Sequence, residues 1–430
     1  MVAADPQFAL GWVAIADAER TRYTRGDAPF PATIAAAQAA IDRALAIDPD
    51  LIDALITKSY LLTVQWRAAD ALGVSRRAIE LAPNDARVIS TRANVLGYLG
   101  RPRDALALRQ RAAALDPLAP GPVFSMHVDY MTMGLHDEAR DMLERALRMT
   151  RSDAGWDESP AARVELAFGK IADSIDIATR AASSTAPRNL QMYEELSLAR
   201  AWSLLGAHDE ADRVLARVDR ELPEAPVYLD AWLTVRWARG DIEGARQWIE
   251  HQGRHAAQDP WQHAASAQAR ALAGDTTGAL ADYALALDAP ADRDLVTSTW
   301  FPSRFGMAPL ANWIALRKTL GLPYAAELDD YERRLDEAVA GGTALPLMYY
   351  HRAALAALRD DPAAAERLLA AALDHGWVDP LAFDVDLTWR AYAQEAWLAR
   401  QRGAQTARIA SERARLKQLQ SGAGNPSRAQ

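Results

Sequence analysis

The sequence has no cysteine among its 430 residues, which excludes disulfide bonds, thiolate zinc sites and a cysteine nucleophile. It also lacks any run of eighteen apolar residues, so it predicts no membrane span. The N-terminus, MVAADPQFALGW, has no basic segment followed by an apolar one, and we therefore expect a cytoplasmic protein. Lys and Arg number 48 against 57 Asp and Glu, a formal charge of −9. Without a basic excess to neutralise phosphates, direct binding of nucleic acid is not expected, and the predicted partner is a protein or peptide.

Motifs that carry catalysis are absent as well. The chain has no glycine-rich phosphate loop, no serine elbow and no dinucleotide fingerprint. Asp329, Asp330 and Glu332 are close in sequence, but acidic runs on helices are usually solvated, and acid–base catalysis needs groups that converge in a closed site. The sequence predicts a chain that is not an enzyme and needs no cofactor.

Three histidines form the group of ionisable residues whose spacing invites a metal ion. His251 and His255 are four residues apart and would share one face of a helix, as helical zinc ligands do, with His263 further along. However, Gln252 stands where the zincin motif has its glutamate base. We interpret the three as surface histidines and predict no metal site.

The chain does contain a repeat of 34 residues. Pro49, Pro83 and Pro117 are spaced at this interval and close the stretches ALAIDP, AIELAP and AAALDP. The same interval separates small residues in three further columns: Ala37, Ala71, Ala105 and Ala139; Ala44, Ala78, Ala112 and Ala146; Gly100 and Gly134. Thirty-four residues is the tetratricopeptide period, in which each unit is a helical hairpin that buries its apolar face by stacking on its neighbours. The sequence predicts an all-α, right-handed TPR-type α-solenoid of about nine to eleven hairpins.

A second run of the same period follows the first. Gly206, Gly240 and Gly274 are 34 residues apart, and an alanine stands five residues after each of them. The period then fades and returns near the C-terminus, where a charged helix suits a solubilising cap, the alternative being contact with an anionic surface. The predicted organisation is an N-terminal array (1–153), an irregular linking hairpin (154–191), a second array (192–293), a degenerate helical segment (294–345), a C-terminal repeat with a capping helix (346–420) and a disordered tail (421–430).

We predict that the partner binds to the inner face of the solenoid. In the register set by the glycines, the second, fifth, ninth, twelfth and thirteenth places of each repeat look inward. They carry Tyr, Trp, Arg and Met, which dominate protein recognition surfaces. The predicted partner-binding residues are Arg87, Ser90, Asn94, Tyr98, Phe124, Val128, Met131, Arg200, Asp230, Thr234 and Trp237. The alternative is a stripe that is solvated or packed against the protein itself.

The segment QWRAADALGVSRRAIELAPNDARVISTRANVLGYLGRPRDALALRQRAAALDPLAP resembles the tetratricopeptide regions of bacterial multidomain regulators, and DHGWVDPLAFDVD resembles the end of such regions. In those proteins the repeats follow a winged-helix, nucleotide cyclase or protein kinase domain. The repeat architecture predicts a non-catalytic scaffold that holds a protein or peptide partner in its concave groove. The alternative that the resemblance leaves open is a sensory or regulatory arm whose effector domain is not in this chain. The sequence does not indicate the partner's identity or the oligomeric state.

Overall fold

The computed structural model describes residues 2–24, 30–65, 67–150, 159–181, 188–221, 228–252, 260–288 and 308–423. Within these ranges every regular element is a helix: there are twenty-two α-helices and one 3₁₀ helix, and no strand. None of the described helices combines the length and the apolar character that a membrane span requires.

The first twenty α-helices pair in sequence order into ten hairpins, and each hairpin packs on the next, from α2 against α3 to α18 against α19. The first five pairs are α1 (Ala9–Thr24) with α2 (Phe30–Ile47), α3 (Ile52–Val64) with α4 (Ala68–Leu81), α5 (Ala86–Tyr98) with α6 (Pro102–Leu115), α7 (Pro120–Thr132) with α8 (His136–Met149), and α9 (Ser159–Ala167) with α10 (Ile171–Ala181). The next five are α11 (Arg188–Leu204) with α12 (His208–Glu221), α13 (Tyr228–Ala238) with α14 (Ile242–Gln252), α15 (Pro260–Leu272) with α16 (Thr276–Asp288), α17 (Ala308–Thr319) with α18 (Ala325–Gly341), and α19 (Pro346–Leu358) with α20 (Pro362–Asp374).

Small residues in the repeat register let the helices of each hairpin approach one another. Both alanine columns of the first run are fully buried, from Ala37 to Ala139 and from Ala44 to Ala146. The same holds for Ala211, Ala245 and Ala279 in the second run. The all-α solenoid of tetratricopeptide type predicted from the sequence is confirmed by this architecture.

Enlarging one of these alanines is expected to destabilise the protein. Ala105→Leu or Ala139→Leu adds side-chain volume at a fully buried helix contact, and overpacking of this kind costs roughly 1–3 kcal/mol. Ala107→Leu is the matched control, because Ala107 is exposed on the same helix as Ala105. Thermal melts should show lower midpoints for the two core variants and little change for the control; unchanged midpoints in all three would reject the repeat register.

The two helices of most hairpins are joined by a turn that contains a glycine with positive φ. The row runs through Gly100, Gly134, Gly169, Gly206, Gly240 and Gly274, with φ between 67° and 90°. We call this row of turns the turn edge of the solenoid. Trp66, which the register places at the turn of the second hairpin, lies outside the described residues.

The C-terminal segment, residues 341–423, returns to the turn edge of earlier hairpins. It contains the end of α18, hairpin α19/α20, α21 (Ala382–Val385), a 3₁₀ helix (Leu387–Tyr392) and α22 (Ala396–Ala423). Thr343 Oγ1 donates to the Gly100 carbonyl over 3.3 Å, and the Ala344 N–H donates to the Thr132 carbonyl over 2.8 Å. Further along, Gly376 lies directly against Gly169. The solenoid therefore closes on itself.

The sequence suggested that the C-terminal helix caps the last repeat. In the structure, helix α22 also contacts an earlier hairpin. One of its faces is buried against α10 and α20, and Arg413 Nε donates to the Leu205 carbonyl next to the Gly206 turn over 2.6 Å. The helix thus joins the C-terminal segment to hairpins in the middle of the chain.

A buried polar cluster around Asp386 fixes the segment on its other side. Gln268 on α15 donates to the Val385 carbonyl over 3.0 Å and to Asp386 Oδ1 over 3.2 Å. Asn312 on α17 accepts from the Leu387 N–H over 2.7 Å, and the Tyr350 hydroxyl donates to Asp386 Oδ2. Burial and the nearby Asp386 carboxylate raise the pKa of Tyr350 well above its ordinary value, so this hydroxyl keeps the proton it donates.

Candidate partner-binding surface

We call the predicted partner-binding residues the inner stripe. The C-terminal segment covers the part of this stripe that belongs to α7. Val128 is 5% exposed and Met131 is 3% exposed. Both lie in one buried apolar cluster with Leu345 and Met348 of the C-terminal segment. Phe124 is half-buried and packs against a second cluster, which contains Ile409 and Leu416 of α22. These α7 positions are therefore self-packed, the alternative that the sequence left open.

The stripe of the second run is also largely internal. Thr234 and Trp237 on α13 are buried, and Trp237 belongs to the cluster that contains the α22 residues. Arg200 on α11 is half-buried. Asp230 stands in α13, but its side chain lies outside the described part of the chain. The sequence predicts that Trp237 contacts a partner, but it is a core side chain, and replacing it by alanine would destabilise the fold.

The stripe remains accessible on α5. Arg87 has a side chain that is 62% exposed and pairs with Asp53 of the preceding hairpin over 2.6 Å and with Asp85 over 2.8 Å. The Arg87 guanidinium holds the pKa of Asp85 below its usual range. Ser90 and Tyr98 are half-buried on the same helix, and the Ser90 hydroxyl donates to the Ala86 carbonyl over 2.7 Å.

Asn94, the remaining stripe residue on α5, is tied to a buried ion pair. Arg109 on α6 donates through Nη1 to Asn94 Oδ1 and through Nε to Asp129 Oδ2 on α7, each over 2.6 Å. Arg109 is 1% exposed and Asp129 is 2% exposed. Burial raises the pKa of Asp129 to about 6, although the neighbouring Arg109 opposes this shift. Asn94 therefore has a structural role at the junction of three helices.

Residues of α1 and α3 extend the accessible stripe, and the sequence analysis did not select them. The Arg20 guanidinium lies over the ring of Tyr60, 5.6 Å from its centroid. Tyr60 is half-buried and occupies the place in its hairpin that Asn94 has 34 residues later. The repeat register applied one hairpin earlier would have found Asp53 and Tyr60. We define the open wall as Arg20, Asp53, Tyr60, Arg87, Ser90, Asn94 and Tyr98.

The side chains of two of the three histidines considered for metal binding fall outside the part of the chain that the structure describes. His263 is half-buried on α15, whereas His255 and the His251 side chain lie outside the described residues. In the described ranges no group of three His, Asp or Glu side chains is placed to hold a metal ion. Asp330 pairs with Arg334 of the same helix over 2.8 Å, and Glu332 pairs with Arg359, which follows α19.

Two buried histidines make the fold sensitive to acid. Burial lowers the pKa of His127 on α7 and of His351 on α19 from 6.5 to about 3. The unfolded chain therefore binds more protons than the folded chain between pH 6.5 and 3, and stability falls as the pH falls through this window. Each histidine contributes a slope of about 1.4 kcal/mol per pH unit. Asp129, whose pKa is raised, acts in the opposite sense between about pH 6 and 4.

Substitution of either histidine is expected to flatten this dependence. Urea unfolding at a series of pH values from 8 to 5 should show that His127→Gln and His351→Gln each reduce the slope by about 1.4 kcal/mol per pH unit below pH 6.5. Replacing the exposed His375 in the same way should leave the slope unchanged. A slope equal to that of the parent chain in both core variants would contradict the assignment.

Comparisons with known proteins give a likeness in repeat structure alone. No protein-family model matches the chain, and no curated protein matches it. Among solved structures, MamA is 17% identical, with 50% of this chain and 91% of MamA covered at a TM-score of 0.26. The pilF protein of Pseudomonas aeruginosa is 17% identical, with 50% of this chain and 93% of pilF covered at a TM-score of 0.33. A tetratricopeptide repeat protein from Parabacteroides merdae is 13% identical, with 65% of this chain and 93% of that protein covered at a TM-score of 0.33. At these TM-scores the likeness carries no argument about function, and the fold assignment rests on the hairpins of this chain.

Proposed function

We propose that this chain is a non-catalytic scaffold that binds a protein or peptide partner on the open wall of α1, α3 and α5. The observation that carries the proposal is the division of the inner stripe. Val128, Met131, Thr234 and Trp237 are buried within the protein. Arg87 and its neighbours on the first hairpins keep accessible surface. Tyrosine and arginine, which this wall presents on successive helices, are the residues that most often anchor partners.

The wall suits a segment that lies across the first helices of the solenoid. Stacked hairpins create an extended concave surface, and each helix adds one row of side chains to it. Arg87 is 62% exposed in its ion pairs with Asp53 and Asp85, and ion pairs at the surface contribute little to stability. Exchange of one of these carboxylates for a carboxylate of the partner would therefore cost little. Tyr60 and Tyr98 would supply the apolar contact area.

Alanine substitutions on the open wall are expected to weaken partner binding. Tyr60→Ala and Tyr98→Ala should each cost on the order of 1–3 kcal/mol of binding free energy while the chain remains folded. The partner is captured from the native host with the parent chain, identified, purified and titrated by calorimetry. Tyr324→Ala is the matched control, since Tyr324 is also half-buried but precedes α18. If affinity survives both wall substitutions while the outward charge reversal Arg76→Glu abolishes it, the proposed surface is wrong.

A further inference from the structure

Helix α22 has two halves that are held by different parts of the protein. Its first half, residues 396–405, packs within the C-terminal segment itself. Leu398 and Gln405 are buried there, and Gln405 accepts from the Asp379 N–H over 3.2 Å and donates to the Trp377 carbonyl over 3.3 Å. This half is anchored by contacts to residues close to it in sequence.

The second half, residues 406–423, contacts hairpins that lie more than 200 positions earlier in the chain. Its buried side chains are Ile409, Glu412 and Leu416, whose spacing of three and four residues places them on one face. Glu412 Oε2 accepts from the Ala172 N–H over 2.9 Å and so caps the first turn of α10. This carboxylate satisfies a backbone donor that the helix itself leaves unpaired.

Two arginines complete the contact. Arg415 forms a bidentate pair with Asp173 on α10, with distances of 2.8 and 2.6 Å, and Arg413 reaches the Leu205 carbonyl at the end of α11. Arg415 is 51% exposed, so water can replace its partner readily. The Ala172 N–H and the Leu205 carbonyl can likewise be solvated when the helix leaves. Opening therefore exposes Ile409 and Leu416 of this half, together with the apolar surface beneath them, while the polar groups of the contact become solvated.

We propose that residues 406–423 are a displaceable strap, and that the surface beneath it is a docking site for an amphipathic helix. This surface consists of the first turn of α10 and the turn after α11. Its ligand is a helix with the pattern of the strap itself: an aliphatic residue at the first and eighth positions, glutamate at the fourth and arginine at the seventh. The anchored first half keeps the strap at high effective concentration, so a partner's helix must compete with it. This site is separate from the open wall.

Hydrogen exchange on the full-length chain tests the strap. In the double variant Glu412→Ala, Arg415→Glu, exchange should rise roughly tenfold or more at residues 406–423 and at the first turn of α10, because a charged cap and an ion pair are lost. Exchange in residues 396–405 and in α5 and α6 should not change. Lys417→Ala is the control, because Lys417 is exposed on the same half. The charge exchange Asp173→Arg, Arg415→Asp should keep protection near that of the parent chain. A rise that is uniform across the chain, or no rise at all, overturns the proposal.

A peptide with the sequence of residues 403–423 tests the docking site. Added to the full-length double variant, the labelled peptide should bind saturably, and binding to the parent chain should be at least tenfold weaker because its own strap competes. The same peptide with Glu412 replaced by alanine should bind the double variant more weakly than the unmodified peptide. Absence of saturable binding to the double variant overturns the docking site, even where the strap is shown to open.

Discussion

Replacing Gly169 by alanine is expected to lower the free energy of unfolding by roughly 2–4 kcal/mol, whereas the same change at Gly240 should cost only about 1 kcal/mol. Both glycines have positive φ, 69° and 75°, so the backbone penalty is shared. A Cβ atom on Gly169 would lie 2.2 Å from the Gly376 carbonyl oxygen, while one on Gly240 would meet nothing within 4 Å. The difference between the two losses therefore reports the packing of the C-terminal segment on the turn edge.

Denaturant unfolding of the two variants measures this difference. Gly376→Ala gives a reciprocal test, since its Cβ atom would lie 2.2 Å from the Phe168 carbonyl oxygen. We expect a loss similar in size to that of Gly169→Ala. Equal losses for Gly169→Ala and Gly240→Ala would show that the segment is not in contact with this turn in solution.

Removing one partner of the Arg109–Asp129 ion pair is expected to cost about 3–5 kcal/mol. Both side chains are almost completely buried, and the loss of either leaves an uncompensated charge between α6 and α7. Asp129→Ala would also leave Asn94 as the remaining hydrogen-bond partner that the structure gives Arg109. The effect should appear as a lower midpoint in denaturant unfolding, without loss of the helical circular dichroism signal at low denaturant.

The double variant Arg109→Met, Asp129→Leu separates the cost of a lone buried charge from the value of the pair. Replacing both groups by apolar residues of similar volume is often neutral or stabilising, so the double variant should be more stable than either single alanine variant. Arg101→Ala is the control, because Arg101, the residue before α6, forms an exposed pair with Asp104 of that helix. Losses that simply add in a double-alanine variant would argue against a coupled pair.

The repeat could be predicted from the sequence because its signals are local and periodic. The buried alanine columns and the turn glycines occupy the places that the 34-residue register gives them. The position of Arg109 in the repeat also predicts a buried ion pair. Arg109 stands four residues after Ala105 and three before Ala112, on the face of α6 that the register buries, and a buried arginine requires a partner.

The return of the C-terminal segment could not be predicted from the same signals. The contacts of Ala344 with Thr132 and of Glu412 with Ala172 join residues more than 200 positions apart, and they have no period. Val128 and Tyr60 occupy the same place in their hairpins, two repeats apart, yet Val128 is buried and Tyr60 is only half-buried. Repeat position alone predicts the same exposure for both residues, because it carries no information about the C-terminal segment.

Thiol labelling of single-cysteine variants tests most directly whether the C-terminal segment covers the stripe at α7 and leaves it open at α3. The chain has no native cysteine, so Val128→Cys and Tyr60→Cys each introduce one reactive group at equivalent places of the repeat. We expect maleimide to label Val128→Cys at least about a hundredfold more slowly than Tyr60→Cys, because labelling at Val128 requires the C-terminal segment to open. Comparable rates at the two positions in the folded protein would contradict the account.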